Sequence, residues 1–253
     1  KKMNETVRFK PNNILNIEKT NLDTAVYRIF RFEDILELFN NKEITLVKAN
    51  LWEDPYENFI LKCNATHNGE KIGIDKIQSQ IFGQCWSLQS ESDAMWRIYS
   101  PNYNGIKIKS SLEKIFNIIF DDNEKTSLVT SFVGKVDYKN KKEFNDYFSN
   151  SENTSLLGTS NLVINSHLLK RKEFEHEKEV RLIYFIDSFS GELNNKIKKF
   201  KVDPNDLIDE ICFDPRIDKR YLELYKKTFK NLGFNGNMIK SDLYDFKGVD
   251  IEI

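Results

Sequence analysis

The sequence predicts an α+β fold, a mostly antiparallel sheet with flanking helices. Three observations carry that prediction. Strand-like runs and helical periodicities interleave without the regular alternation of βαβ units. Several neighbouring strand runs lie close enough in the chain to pair antiparallel. No internal repeat and no G-x-G-x-x-G phosphate loop is present, which argues against a dinucleotide-binding doubly wound sheet. With 253 residues, 10 glycines and 5 prolines, the chain has the size of one large domain and little linker composition. Residues 1–253 are therefore read as a single domain, with 1–24 as an N-terminal extension.

In chain order, Val26–Phe30 is β-branched and aromatic and reads as a strand. Phe32, Ile35, Leu36, Leu38 and Phe39 then recur at helical spacing, and Ile44–Val47 is a second strand. Asn50–Asn58 is irregular, because Asp54-Pro55 breaks a helix and Pro55 removes a ladder donor. Gln84–Leu88 reads as a strand, followed by a helix from Asp93 with Ser92 as its N-cap. Gly105–Lys109 is strand-like and Leu112–Phe120 is helical. Leu128–Tyr138 is long, β-branched and broken by Gly134, and reads as a bent strand or a bulge. Asn140–Ser160, rich in Asn and Ser, reads as a mobile loop. A helix over Leu162–Lys170 precedes a strand at Glu179–Ile186, and Lys196–Val202 is expected to pair antiparallel with that strand. A strand at Glu210–Phe213, a helix at Lys219–Leu232 and a strand near Met238–Lys240 complete the chain.

A net charge of −1 supplies no global field toward nucleic acid or membrane. Lys170-Arg171-Lys172 and Lys196-Ile197-Lys198-Lys199 read either as a local basic patch or as solvated edges. Cys63, Cys85 and Cys212 are widely spaced and odd in number, so they suggest reduced thiols rather than disulfides or zinc ligands. No apolar run reaches the length of a membrane span, and Lys1–Phe9 lacks the apolar stretch of a signal peptide. The expectation is a cytoplasmic protein with no membrane partner.

Four constellations can carry chemistry. In Phe174–Arg181 (FEHEKEVR), a strand from Glu177 would send Val180, Leu182, Tyr184 and Ile186 one way. Glu177, Glu179 and Arg181 would point the other way. Two carboxylates beside a guanidinium suit general acid–base work or stabilisation of a developing cation, and equally a solvated face with cross-strand ion pairs. Tyr27-Arg28 places a guanidinium on a strand, where it would meet a phosphate or pair with Glu37 or Glu43. Trp52–Asn58 (WEDPYEN) packs acids and aromatics into a proline-fixed loop. It could line a pocket, ligate a metal through Asp54 and Glu57, or form a capped turn. Cys85-Trp86-Ser87 and the helix carrying Trp96 and Tyr99 supply a hydroxyl and rings, with no histidine positioned to activate Ser87.

Taken together, Tyr27–Phe30, Leu46–Lys48, Leu51–Asn58, Cys85–Ser87, Asp93–Tyr99, Gly134–Tyr138, Phe174–Arg181, Asp214–Arg216 and Ser241–Tyr244 resemble the blocks of the bacterial domain-of-unknown-function family 2971. The resemblance runs from about Tyr27 nearly to the end. More loosely, an arginine, a serine and a Glu-x-Glu on successive strands are similar to the Arg–Ser–Glu pattern of ADP-ribosyltransferases. That likeness implies a split sheet and NAD as the cofactor consumed. It implies that Arg28 binds an NAD phosphate, that Ser87 supports the nicotinamide ribose, that Glu179 is the catalytic glutamate and that Glu177 assists acceptor activation. Tyr27, Asp54, Trp86 and Tyr99 join the NAD-binding set, with Trp52, Tyr56, Trp86, Trp96 and Tyr99 as stacking surface. Ser87 departs from the pattern, being followed by Leu88 and Gln89. The implied role is a bacterial toxin or anti-phage effector that modifies a nucleic-acid or protein acceptor and is held by an antitoxin or chaperone. A composition rich in Lys, Asn, Ile and Phe is also common in such loci. Two other readings stand beside it: a metal-dependent nuclease or hydrolase using Asp54, Glu57, Asp93, Glu177 and Glu179, and a non-catalytic nucleotide-sensing or interaction module in which Arg28 and Glu179 are an ion pair.

Overall fold

A computed structural model of the chain describes residues 13–18, 21–57, 65–67, 70–72, 81–120, 131–149, 164–186, 195–246 and 248. In chain order the elements are β1 (Ile14–Leu15), β2 (Ala25–Phe30), α1 (Phe32–Asn41), β3 (Glu43–Lys48), β4 (Ala65–His67) and β5 (Glu70–Ile72). There follow β6 (Ile81–Ser87), α2 (Asp93–Tyr99), β7 (Ile106–Ser111), α3 (Leu112–Ile119), β8 (Ser131–Lys135), β9 (Asp137–Lys139) and α4 (Lys141–Ser149). The last third holds β10 (Leu169–Arg171), β11 (Glu179–Phe185), β12 (Ile197–Lys201), α5 (Pro204–Leu207), β13 (Glu210–Phe213), α6 (Lys219–Asn231) and β14 (Asn237–Lys240). Short 3₁₀ turns occupy Ala49–Leu51 and Lys172–Glu177.

Among the described residues, one ten-stranded sheet organises the fold, in the order β1-β8-β11-β6-β2-β7-β13-β14, with β3 pairing both β6 and β12. All its pairings are antiparallel except β1 with β8 and β13 with β14. This is the mostly antiparallel α+β architecture that the sequence predicts.

The sheet divides at β6. Strand β11 pairs with β6 along its whole length, from Glu179 opposite Ser87 to Phe185 opposite Ile81. The other edge of β6 is shared by two strands: β2 meets it only at Ser87, through Tyr27, and β3 meets it only at Phe82 and Gly83. Among the described residues, 84–86 between them have no strand partner on that edge. Backbone groups left open there must find other partners. The Arg28 Nη1 donates to the Cys85 carbonyl, and the Gln84 side chain spans the gap by donating to the Thr45 carbonyl at 2.9 Å.

The main core lies on one face of the sheet. Val180 and Leu182 of β11, Phe82 and Trp86 of β6 and Ile106 and Ile108 of β7 meet Ile35, Leu38 and Phe39 of α1 and Ile115, Phe116 and Ile119 of α3. Each such side chain contributes roughly 1.5–3 kcal/mol through removal from water. On the opposite face Ile183, Ile81 and Phe132 pack with Ala49, Ile164 and Leu168. That second cover buries the side of β11 that carries Glu179 and Arg181.

Helix α2 is pinned at both ends by motifs from the C-terminal third. Ser92 caps it by accepting from the Met95 N–H at 3.4 Å, as its position in the sequence predicts. The Tyr244 hydroxyl donates to Asp93, and Ser241 donates to Glu91 at 3.0 Å. At the other end Arg216, held bidentately by buried Asp214, donates to the Trp96 and Ser100 carbonyls at 3.0 and 3.1 Å.

Several local expectations are corrected. Strand β12 pairs with β3, not with β11, because β6 and β8 already occupy both edges of β11. The expected long strand around Gly134 is two strands, β8 and β9, broken at Val136, whose N–H donates to the Glu179 carbonyl at 2.9 Å. Gly134 is there for packing, since a Cβ would overlap the Leu168 side chain. Residues 141–149, read as loop, form α4, and the rest of that segment, 150–160, lies outside the described residues, as does Cys63. Of the helix expected over Leu162–Lys170, residues 164–166 are helical and 162–163 lie outside the described residues, while its end is replaced by β10 at Leu169–Arg171. Within the expected N-terminal extension, Ile14 and Leu15 pair with β8. No helix among the described residues is long and apolar enough to cross a membrane.

Candidate functional site

A cleft of about 700 Å³ opens where β2 and β3 diverge from β6, within the range of small-molecule sites. Its lining brings together all eight residues that the transferase resemblance assigns to catalysis or NAD binding: Tyr27, Arg28, Asp54, Trp86, Ser87, Tyr99, Glu177 and Glu179. Strand β2 supplies Tyr27 and Arg28, β6 supplies Trp86 and Ser87, α2 supplies Tyr99, and β11 begins with Glu179.

The far wall is a buried charge cluster. Arg181, fully buried, donates from Nε to Glu179 Oε1 at 3.1 Å and from Nη2 to Glu179 Oε2 at 3.0 Å. The same Nη2 reaches Glu57, Nη1 reaches the His167 carbonyl, and the guanidinium lies 4.5 Å from the Trp52 ring. Lys170 sits among three carboxylates, 3.1 Å from Glu179, 3.2 Å from Glu57 and in hydrogen bond with Glu177. Tyr99 donates its hydroxyl to the other Glu177 oxygen at 3.1 Å. Isolated buried charges are too costly to survive, so this alternation of cations and carboxylates is what keeps the cluster ionised.

Glu177 is not on the strand, as the alternation of charges suggests. It ends the 3₁₀ turn, and Lys178 turns the chain in the left-handed region at φ 43 before β11 starts. The reversal brings the Glu177 carboxylate beside that of Glu179 by way of Lys170 instead of through strand periodicity. The face of β11 that could have been solvated is buried under Trp52, Glu57 and β10, with Glu179 2% exposed.

Burial works against an ionised Glu179, but Arg181 and then Lys170 outweigh it and bring its pKa down to about 2. For Lys170, burial opposes the charge while Glu179, Glu57 and Glu177 overcome it, so the ammonium titrates above its ordinary range. Burial, then Glu177, raises the Tyr99 phenol, and burial followed by Glu179 raises the Cys85 thiol. Stability from Glu179 is therefore present above the ordinary carboxylate value of 4.5 and lost as pH falls toward about 2. Stability from Lys170 is present below 10.5 and lost only as pH rises beyond it. In melting curves the acid limb below pH 4.5 is expected to flatten in Glu179→Gln; an unaltered limb would assign acid unfolding to other carboxylates.

Arg28 departs from both of its expected ion pairs. It meets neither Glu37 nor Glu43, and Glu43 instead pairs with Lys199 and Lys201. Nor does Arg28 pair with Glu179, whose partners are Arg181 and Lys170. The Arg28 Nε is buried with no hydrogen-bond partner, and burial lowers the guanidinium pKa. The residue lines the cleft, so its guanidinium puts positive charge within reach of an anionic group there. Ser87 is committed to structure: its hydroxyl donates to the Glu177 carbonyl at 2.6 Å and accepts from the Gln89 N–H at 3.0 Å. It can meet a ligand only as a further acceptor.

Asp54 caps its own turn, accepting from the Tyr56 N–H at 3.0 Å, and pairs with Arg171. Of the acids of the metal reading, Glu57, Glu177 and Glu179 converge, but on two cations of the chain itself, and Asp54 and Asp93 stand apart from them. Asp93 is held by Arg97 and Tyr244, while Glu57, Glu177 and Glu179 are occupied by Lys170 and Arg181. Of the five proposed stacking rings, Trp86 and Trp96 are buried, and Tyr56 lies beside Phe144 and Arg171. Trp52 and Tyr99 remain on the cleft, joined by Phe174. Sequence reasoning missed Lys170 as a site residue, because it stands in a basic run that reads as solvent-facing; in the fold it is buried.

Residues 95–182 match the sequence model of a family described as protein of unknown function, DUF2971. No curated protein matches the chain. Among solved structures, similarity is found to DarT of Thermus sp. 2.9 in complex with NAD+, with a TM-score of 0.39 and 12% identity over 87% of this chain and 96% of that one. The same protein in complex with carba-NAD+ gives 0.37 and 14% over 87% and 96%. In complex with ADP-ribosylated ssDNA it gives 0.39 and 11% over 87% and 94%. The family match takes in Tyr99, Lys170, Glu177, Glu179 and Arg181 and stops short of Arg28, Asp54 and Ser87, a narrower stretch than the resemblance from Tyr27 onward.

Proposed function

We propose that the chain is an NAD-dependent mono-ADP-ribosyltransferase working through this cleft. The observation that carries the reading is the pairing of opposite resources in one cavity: a half-buried arginine whose Nε has no hydrogen-bond partner, and a carboxylate held ionised. A dinucleotide needs the first for its diphosphate. Its glycosidic carbon needs the second as positive charge develops on the ribose.

In the proposed reaction, the bond between ribose C1′ and the pyridinium nitrogen breaks and its electron pair goes to nicotinamide, which leaves neutral. A nucleophilic oxygen or nitrogen of the acceptor forms the new bond to C1′ and surrenders its proton. Glu179, locked by Arg181, stabilises the developing oxocarbenium charge. Glu177, beside it and bonded to Tyr99, takes the acceptor proton. Arg28 holds a phosphate, while Tyr99 and Trp52 offer ring surface to nicotinamide or adenine. Tyr27, Asp54 and Trp86 shape the walls, and Ser87 steadies the turn that presents Glu177. The same reading makes the chain a bacterial toxin or anti-phage effector of the cytoplasm, acting on nucleic acid or protein and restrained by an antitoxin or chaperone partner. Its Lys-, Asn-, Ile- and Phe-rich composition is the support for that role.

The test is release of nicotinamide from NAD carrying a label in that ring, with single-stranded DNA, RNA or bacterial extract as acceptor. The wild-type chain is expected to release label. Arg28→Gln is expected to raise the KM for NAD about 10- to 100-fold, the value of a charge-assisted hydrogen bond to phosphate. Absence of release with every acceptor would sink the assignment.

A further inference from the structure

We infer that Lys170 is a positioning residue for this transfer, resting on the reading above: its ammonium fixes Glu177 and Glu179 side by side at the cleft wall. No strand periodicity brings these two carboxylates together, since one ends a 3₁₀ turn and the other starts β11, with a left-handed residue between them. Lys170 donates to both, and among the described residues no other cation does. Arg181 holds Glu179 and Glu57 but makes no ion pair with Glu177. Tyr99 touches only Glu177 of the pair.

The position of Lys170 is itself well determined. It is the middle residue of β10, which pairs with β9 at Tyr138, and its ammonium lies 4.9 Å from the Phe174 ring. Tyr138 in turn accepts from the Glu179 N–H at 2.8 Å. The charged and titratable groups around Lys170 come from every neighbouring element. They are Glu57, Glu177, Glu179 and Arg181, the Arg171–Asp54 pair, Tyr99 of α2, Tyr138 of β9, Cys85 of β6 and, near Glu179, Arg28 of β2. Without the ammonium, two adjacent carboxylates would repel, separate, or share a proton. Any of these would spoil the division of labour between cation stabilisation and proton removal.

Lys170 also balances buried charge, so the test must separate that from positioning. Lys170→Met alone would leave buried carboxylates unpaired and endanger the fold. Lys170→Met/Glu57→Gln removes one cation and one carboxylate together, leaves the net charge of the cluster unchanged, and is compared with Glu57→Gln alone. The double variant is expected to melt close to the single one. Its kcat for nicotinamide release should fall about 100-fold, the scale of a misplaced catalytic group. The KM for NAD should stay within about threefold, because Arg28 is untouched. The acid limb of kcat is expected to move to higher pH, and Lys170→Arg to recover part of the loss. A double variant with the kcat and pH profile of Glu57→Gln would make Lys170 a charge balance only and overturn the inference. Loss of kcat with an unmoved pH profile would overturn it as well. If the wild-type chain releases no nicotinamide, the transferase reading fails and this role falls with it; if wild type and double variant release it equally, only the role of Lys170 falls.

Discussion

Arg181→Met is expected to cost about 3–5 kcal/mol of unfolding free energy, the penalty for stripping one partner from a buried ion cluster. The guanidinium is fully buried and serves four groups at once: both oxygens of Glu179, Glu57 and the His167 carbonyl, with the Trp52 ring against its plane. Methionine fills much of the volume but leaves three carboxylates facing Lys170 alone. The expected relaxation is protonation of one glutamate, so the variant should regain stability between pH 7 and pH 5 while wild type does not. Arg181→Lys keeps the charge without the planar fork and should fall between the two. Urea denaturation at both pH values decides it, and a loss under about 1 kcal/mol would mean that the cluster is replaceable by apolar packing.

Glu179→Gln is expected to reduce nicotinamide release about 100- to 1,000-fold, the scale seen when one preorganised electrostatic contact to a transition state is removed. The amide keeps the shape and an acceptor for Arg181, so the fold should hold better than in Arg181→Met. Glu177→Gln should separate from it in kind. If Glu177 takes the acceptor proton, transfer to an acceptor falls in that variant, while slow hydrolysis of NAD, with water as acceptor, persists. Equal loss of release and transfer in both variants would remove the distinction between the two carboxylates. Glu179→Gln with wild-type release would remove Glu179 from the chemistry.

The strands were readable where their signal was local. Val26–Phe30 and Glu210–Phe213 are dense in β-branched, aromatic or apolar residues, and they appear as β2 and β13 within a residue of the reading. Ser92 and its helix were legible for the same reason, since a cap acts over three residues. Pairing was another matter. Lys196–Val202 stands next in sequence to the β11 segment, yet β11 has both edges filled from elsewhere, and β12 goes to β3. The two C-terminal segments Asp214–Arg216 and Ser241–Tyr244 carried no readable purpose until the fold set them at the two ends of α2, where they fix the helix bearing Tyr99.

The sequence alone determined the α+β class, the caps, most strand and helix positions, and the set of polar and aromatic residues with chemistry to offer, because each depends on neighbours within a few residues. Tertiary structure decided which of those residues matter together. It split the sheet at β6 and thereby opened the cleft, and it left Arg28 with an unused donor. It also committed Ser87 to a backbone carbonyl and buried Lys170 among three glutamates drawn from two separate segments. The physical reason is that a buried charge is set by what surrounds it in space. Glu57, 124 residues from Arg181, touches its guanidinium, and no local pattern encodes such a contact.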